Sequence, residues 1–349
     1  MKKTIVALII ASTLILAGFI GYIAANKYAQ RRAENEIETV LKKANLDKQV
    51  SYGRIKANLF SNTVIVNEVE WYIKKHGNLI GKLEVKTVYL SGKPEKTINA
   101  KFNDAKLINL NVESPEELIN KPILTIKTGY LKVSKGKDRV HTVFEAKRVL
   151  LNDRIFEIGK KPSEELRDVL ENVLKIRNPF EIYIETTTDA KNNQFAINSY
   201  KIDWLGNLLV SYSLKLNNVD INGFKKASEE LKGKNPNPLV VLNYLSKLYQ
   251  IKPDFLKLEI KNEGLVSRLL DYIAKKEKTD KKTIINQVSL YLSRTPFRSY
   301  SKPVIDFLKG NSKTLKIKIL NSKNLSVGDI LQNIQKTPLY SLLNISVTN

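Results

Sequence analysis

The spacing of hydrophobic and polar positions changes several times along the chain, and each change predicts a different element. Residues 4–25 (TIVALIIASTLILAGFIGYIAA) contain no charged side chain. A helix of that length reaches roughly 33 Å, enough to cross a bilayer core. Over residues 26–47, Ala33, Ile37, Val40 or Leu41, and Ala44 recur at three- and four-residue steps and Glu38 precedes Lys42 by four, which predicts an amphipathic helix. At Val50 the period falls to two. Strands are expected over residues 50–55, 63–73 (TVIVNEVEWYI), 79–90, 97–102, 105–112, 123–133, 140–151 and 154–158. Ser114-Pro115-Glu116-Glu117 is a capping box with proline at the first helical position and predicts a short helix. Residues 162–176 read as a longer helix with Leu166, Val169, Leu170, Val173 and Leu174 on one face.

A second strand set covers residues 180–186, 194–204 and 208–216, with Lys191-Asn192-Asn193 and Leu205-Gly206-Asn207 as turns; strands joined so closely imply an antiparallel, half-buried sheet. Helices are expected over 238–250 and 265–276, over 281–292 with Asp280 as cap, from Pro303 to Gly310, and over 326–334. Strands are expected over 255–260, through Leu315, Ile317 and Ile319, which alternate with Lys316 and Lys318, and over 343–349. Segments 256–273 and 315–334 look alike, each a strand, a polar turn and an amphipathic helix. A duplication and a shared strand–turn–helix grammar both account for the likeness.

Together these elements predict an α+β fold: a single N-terminal transmembrane helix, then a mainly antiparallel, curved β-sheet ectodomain with packed helices. The expected divisions are a transmembrane signal-anchor (1–25), an amphipathic stalk helix (26–47), a β-rich region with one long helix (48–177), and antiparallel strands followed by an α+β C-terminal region (178–349). The apolar run is longer than a cleaved signal core, and Gly21-Tyr22-Ile23-Ala24-Ala25 offers no small-x-small cleavage site, so an uncleaved anchor is expected. Lys2 and Lys3 flank it on one side and Lys27, Arg31 and Arg32 on the other, which leaves the charge rule close to a tie. A short N-terminus kept inside, with the bulk exported, gives the expected localisation: single-pass in the inner (cytoplasmic) membrane with a periplasmic bulk.

The formal net charge of +23 raises the question of an anionic partner. Lysines are spread along the whole chain, whereas a nucleic-acid module concentrates them with aromatics in one patch, so no nucleic-acid partner is expected. Absence of cysteine excludes disulfides, thiolate metal sites and cysteine nucleophiles. His76 falls in a predicted turn and His141 on the polar side of a strand, neither with a second ligand at metal spacing. Ser134-Lys-Gly-Lys137 has the S-x-x-K form but sits in a lysine-rich turn. Glu164/Glu165 and Glu229/Glu230 lie beside basic residues on predicted helices, as on a solvated face. No nucleophile elbow, zincin, P-loop or dinucleotide motif occurs. No catalytic, cofactor-binding or metal residues are therefore assigned, no cofactor is expected, and the chain is not expected to be an enzyme. Three strand faces stand out: Ile65, Val69 and Trp71; Leu83, Val85 and Tyr89; Phe180, Ile182 and Ile184. Faces of this kind form a core or line an apolar groove.

The charge-free run, the helix after it and YGRIKANLFSNTVIVNEVEW (52–71) resemble the start of the AsmA-like and YdgA-like families of bacterial envelope proteins. The stretches EIKNEGLVSRLLDYIAKKEKTDKKTIINQVSLYL, FLKGNSKTLKIKIL and LLNISVTN resemble the tails of membrane-anchored proteins of the same group. The resemblance implies an extracytoplasmic β-rich domain concerned with envelope homeostasis and lipid. It brings no active-site residues with it. The expectation is a membrane-anchored, non-enzymatic envelope protein that binds lipid or supports envelope assembly, with anionic lipid or another envelope protein as partner. The alternative is a scaffold or interaction subunit of a membrane protein complex.

Overall fold

The structure, a computed structural model, describes residues 28–43, 46–58, 63–75, 78–93, 96–109, 122–152, 164–230, 237–295, 297–334 and 336–349. Among them are 13 strands that hydrogen-bond in one sheet in the order β1-β3-β4-β5-β6-β7-β8-β9-β10-β11-β12-β13, with β2 also paired to β3. The chain divides into two compact units. Unit 1 is Met1–Gly136 with His141–Tyr183, and unit 2 is Lys137–Val140 with Ile184–Asn349.

The expected anchor over residues 4–25 lies outside the described residues, as do the expected strand over 154–158, the capping box at 114–117 and His76. Among the described residues no helix is long and apolar enough to cross a membrane. The longest of them, α1 (Tyr28–Lys43), has 16 residues and carries charge in every turn. The expected fold class, organised on a transmembrane helix, is corrected to what the described residues form, an antiparallel sheet with packed helices. None of the described helices supports the transmembrane assignment, and the single-pass inner-membrane localisation that depended on it is withdrawn with it.

In unit 1, α1 turns Ala33, Ile37 and Leu41 inward and packs on β2 (Ile55–Asn58), where Ile55 is buried. The strands β1 (Val50–Ser51), β3 (Thr63–Lys75), β4 (Asn78–Lys93), β5 (Thr97–Asn109), β6 (Pro122–Lys135) and β7 (Arg139–Leu151) follow. Their buried residues do not keep a strict period of two. In β3 Val64 and Val66 are buried, then Val69 and Trp71; in β5 Ile98, Ala100 and Phe102, then Ala105 and Leu107. The switch falls at Glu68 and Asp104, whose φ angles of 55° and 52° are left-handed. Such a residue breaks the alternation of sides, so the next apolar side chain returns to the face already in use. Pairing shows the same row: Asn67↔Thr87 is followed by Val69↔Val85, and Asn103↔Thr128 by Ala105↔Ile126. This corrects two of the expected strand faces. Ile65 does not share a face with Val69 and Trp71, and Tyr89 is exposed while its neighbours Val88 and Leu90 are buried.

At the β4–β5 hairpin Gly92 has φ +108°, and a Cβ there would lie 2.1 Å from the carbonyl oxygen of Thr97. Both the dihedral and the rigid neighbour oppose a side chain. Gly92→Ala is expected to destabilise unit 1 by about 2 kcal/mol or more, read as a lower urea midpoint at unchanged slope. An unchanged midpoint would mean that the hairpin is not held in this conformation.

The helix expected over 162–176 ends earlier, at Val173, and changes its winding. Its described part, α2 (Glu164–Asp168), passes into a π-turn at Val169–Val173 that buries Leu170 and Val173. The wider turn, with Leu174 N–H donating to Val169 O at 2.8 Å, rotates the later residues away from Leu166, which is exposed.

Unit 2 contains most of β8 (Phe180–Asp189), then β9 (Gln194–Trp204), β10 (Leu208–Asn217), α3 (Ile221–Glu230), α4 (Pro238–Gln250), β11 (Lys252–Asn262), α5 (Leu265–Lys276), α6 (Lys281–Ser293), α7 (Ser301–Lys309), β12 (Thr314–Leu320), α8 (Val327–Asn333), α9 (Leu339–Leu342) and β13 (Asn344–Thr348). Asp280 caps α6 through Thr283 N–H at 2.7 Å, and left-handed Gly310 ends α7. Pro303 lies inside α7, which begins at Ser301 after a 3-10 turn, and α9 was not foreseen. Leu270, Ala274, Ile284, Ile285 and Ile305 form a core between α5, α6 and α7.

The likeness of segments 256–273 and 315–334 has a geometric counterpart. Leu258 pairs with Ile317, Leu256 with Ile319 and Ile260 with Leu315, so a local twofold through the first pair exchanges β11 and β12. Asn262 N–H donates to Lys313 O at 2.8 Å, and the equivalent Asn321 N–H donates to Asp254 O at 3.0 Å. Both asparagines then accept with Oδ1 from the following turn: Asn262 from Gly264 and Val266 N–H, Asn321 from Leu325 N–H.

Segment Lys137–Val140 is tied to unit 2 by Asp189. This buried carboxylate accepts from Asn192 N–H at 3.1 Å, Arg139 Nη2 at 3.0 Å and Asn192 Nδ2 at 3.0 Å. These donors, the Asn192 backbone foremost, hold its pKa below the usual carboxylate value. Its stabilisation is therefore present above the unfolded-state pKa of about 3.9 and lost as pH falls through the lower folded value. Asp189→Asn is expected to flatten the acid limb of stability against pH, measured as unfolding midpoints from pH 6 downward. An acid limb of wild-type steepness would rule the carboxylate out as a contributor.

Candidate functional site

The strands β9 to β13 are amphipathic across the sheet. On one face lie Val210, Ile260 and Leu315, then Tyr212, Leu258, Ile317 and Val347, then Leu214, Leu256, Ile319 and Ile345. Tyr200 and Tyr212 stack at 4.6 Å between ring centroids, and burial raises both phenol pKa values. This apolar face pins the register, because a one-residue slip would turn all of it to the other side.

The opposite face is built from lysines and hydroxyls. One cross-strand row reads Ser213–Lys257–Lys318–Ser346, and the next Lys201–Ser211–Glu259–Lys316–Thr348. All nine side chains line a shallow concavity of about 380 Å³. The first row contains no acid, and its two ammonium-bearing strands are flanked by hydroxyls. Lys257 stands directly opposite Lys318, an arrangement that destabilises a sheet pair. None of Lys201, Lys257, Lys316 and Lys318 has an ion pair with a described residue. Their neighbours do: Lys215 reaches Asp254 and Lys261 reaches Glu263, each at 3.0 Å. The Lys257 ammonium lies 5.0 Å from the centroid of the Phe255 ring, a cation–π contact that leaves its N–H donors available.

Unit 1 has a comparable concavity of about 460 Å³ lined by Glu68, Glu70, Glu84, Asp104, Lys86 and Lys106. Three of its four acids, Glu70, Glu84 and Asp104, are held by partners. Tyr72 OH donates to Glu70 at 2.8 Å, Lys82 bridges Glu70 and Glu84, and Lys127 reaches Asp104 at 2.7 Å. The Tyr72 hydrogen bond and Lys82 lower the Glu70 pKa, so that carboxylate is satisfied where it stands. The lysine–serine face of unit 2 is the stronger candidate.

The chemistry-bearing residues singled out from sequence are not gathered there. His141 is half-buried on β7, Ser134 is the penultimate residue of β6, and Lys137 is exposed just after that strand. Glu164 and Glu165 are exposed on α2, and Glu229 and Glu230 fall in the last turn of α3. Among the described residues no group of three or more His, Cys, Asp or Glu side chains could hold a metal ion. The sequence does show Lys316 and Lys318 alternating with Leu315, Ile317 and Ile319. It does not show that β10, β11 and β13 align Ser213, Lys257 and Ser346 with Lys318, because cross-strand register carries that alignment.

A family model described as "Uncharacterized protein" matches residues 201–349. The match begins within β9 and includes every residue of the two rows. No curated protein matches the chain.

Proposed function

We propose that this chain is a non-enzymatic binding protein that receives an anionic head group, that of a lipid in the first instance, on the row Ser213–Lys257–Lys318–Ser346. The observation that carries the reading is the pair of opposed, unpaired lysines. An anion set between them turns a repulsive contact into two charge-assisted hydrogen bonds, and the flanking hydroxyls can donate to the same group. Holding lipid without transforming it accords with the envelope role that the AsmA-like resemblance implies; a membrane anchor forms no part of the proposal. Flotation of the full chain with vesicles tests it. Enrichment on vesicles containing phosphatidylglycerol over pure phosphatidylcholine, weakening with salt, is the expected result. Equal partition to both vesicles would overturn the proposal.

A second reading, an interaction subunit of a protein assembly, is favoured by α4. Leu239 and Leu242 on this helix are 71% and 60% exposed, and Leu245 and Tyr249 continue their stripe. Its one charged residue, Lys247, is occupied by Asp220. Crosslinking of the full chain in its cells would recover a partner through this helix; recovery as a lone monomer would count against it.

A further inference from the structure

Glu259 is the one acid among the residues that line this concavity. It is exposed, it stands directly opposite Lys316, and it forms no ion pair with a described residue. The local twofold that exchanges β11 and β12 makes Lys257 equivalent to Lys316 and Glu259 equivalent to Lys318. Of these two equivalences, only that of Glu259 with Lys318 breaks the symmetry of charge. A face that only had to attract anions would be served better by a lysine there, since a carboxylate opposes the field of its four neighbours. What a carboxylate adds is an acceptor, because ammonium groups only donate and the hydroxyls are weaker acceptors than an ionised oxygen. Glu259 lies two residues from Lys257 on the same strand, which places the acceptor about 7 Å from the lysine row.

We infer that the ligand carries a hydrogen-bond donor, a hydroxyl or an ammonium group, about one residue row from its phosphate, and that Glu259 receives that donor while Lys257 and Lys318 hold the phosphate. The inference rests on the anion reading of the lysine row and names the ligand class of the same site: phosphate esters of polyols or amino alcohols. Such a group occurs both on lipid head groups and on small soluble esters.

Binding of the full chain is measured to four probes: inorganic phosphate and glycerol phosphate in solution, and phosphatidylcholine vesicles doped with phosphatidic acid or with phosphatidylglycerol. Within the soluble pair, the vesicle pair or both, the donor-bearing member is expected to bind more tightly. Glu259→Gln is expected to weaken that member about tenfold while strengthening its counterpart, which has no donor beyond the phosphate itself, since it removes an ionised acceptor for one and a repulsion for the other. Opposite signs in the soluble pair identify a free ester, and opposite signs only on vesicles identify a lipid head group. If Glu259→Gln moves both members of each pair in the same direction, or neither, the inference is overturned. Failure of the underlying reading looks different: the wild type binds none of the probes, or Lys257→Ala/Lys318→Ala binds them as the wild type does.

Discussion

Gly129→Val is expected to lower the stability of unit 1 by about 3–5 kcal/mol, a fall of roughly 6–20 °C in its unfolding midpoint. Gly129 pairs with Phe102 across β5 and β6, and a Cβ on it would lie 1.9 Å from Phe102 Cζ and within 2.5 Å of both Cε atoms. The ring therefore lies flat over the glycine, in space that any side chain would need. Phe102 is 5% exposed and continues a row with Val66 and Val88, so the ring cannot swing aside without leaving the core. The loss expected is that of a buried phenylalanine and its cavity. A double-mutant cycle separates this cause from a general intolerance of β6. With Phe102→Ala already in place, Gly129→Val should cost far less, giving a coupling of about 1–3 kcal/mol. Additive effects would show that ring and glycine are independent. Thermal or urea unfolding of the four proteins supplies the measurement.

The second large effect concerns binding and has the opposite sign in stability. Lys257→Ala/Lys318→Ala is expected to weaken binding to anionic vesicles about thirtyfold at low salt, taking about 1 kcal/mol for each lysine at the surface. Lys215→Ala is the control, because that lysine shares the face but is already paired with Asp254; a loss below about threefold is expected. Lys318→Glu places unlike charges opposite one another. It should raise stability by a few tenths of a kcal/mol while abolishing binding, since opposed unlike charges stabilise a strand pair and like charges do the reverse. Vesicle titration and urea unfolding of the same preparations read the two effects. Undiminished binding by the double alanine variant would remove the lysine row from the site. A variant that loses stability along with binding would point to a structural role for these lysines.

Much of the local order is legible in the sequence. Strands over 194–204 and 208–216 occur as β9 and β10 with the expected hairpin turn between them, and Asp280 caps its helix as its spacing required. These features rest on neighbours a few residues apart, which a sequence displays directly. The grouping of Ile65 with Val69 and Trp71 failed because a left-handed Glu68 flips the parity of β3, and nothing about an Asn-Glu pair inside a strand announces that conformation. The likeness of segments 256–273 and 315–334 was visible as text, but only the pairing of Leu258 with Ile317 made it a twofold relation.

By itself the sequence determined the periodicities, the caps and turns, the absence of thiol chemistry and the excess of basic charge. Each of these is a property of residue type or of short spacing. Tertiary structure decided the rest. Register placed Ser213, Lys257, Lys318 and Ser346, drawn from four strands, in one row, and it left two lysines face to face with no acid between them. A lysine in an alternating strand reads as a solvated residue wherever it occurs. Which lysines become neighbours depends on hydrogen bonds between strands far apart in the chain, and those are fixed by the apolar face on the other side of the same sheet.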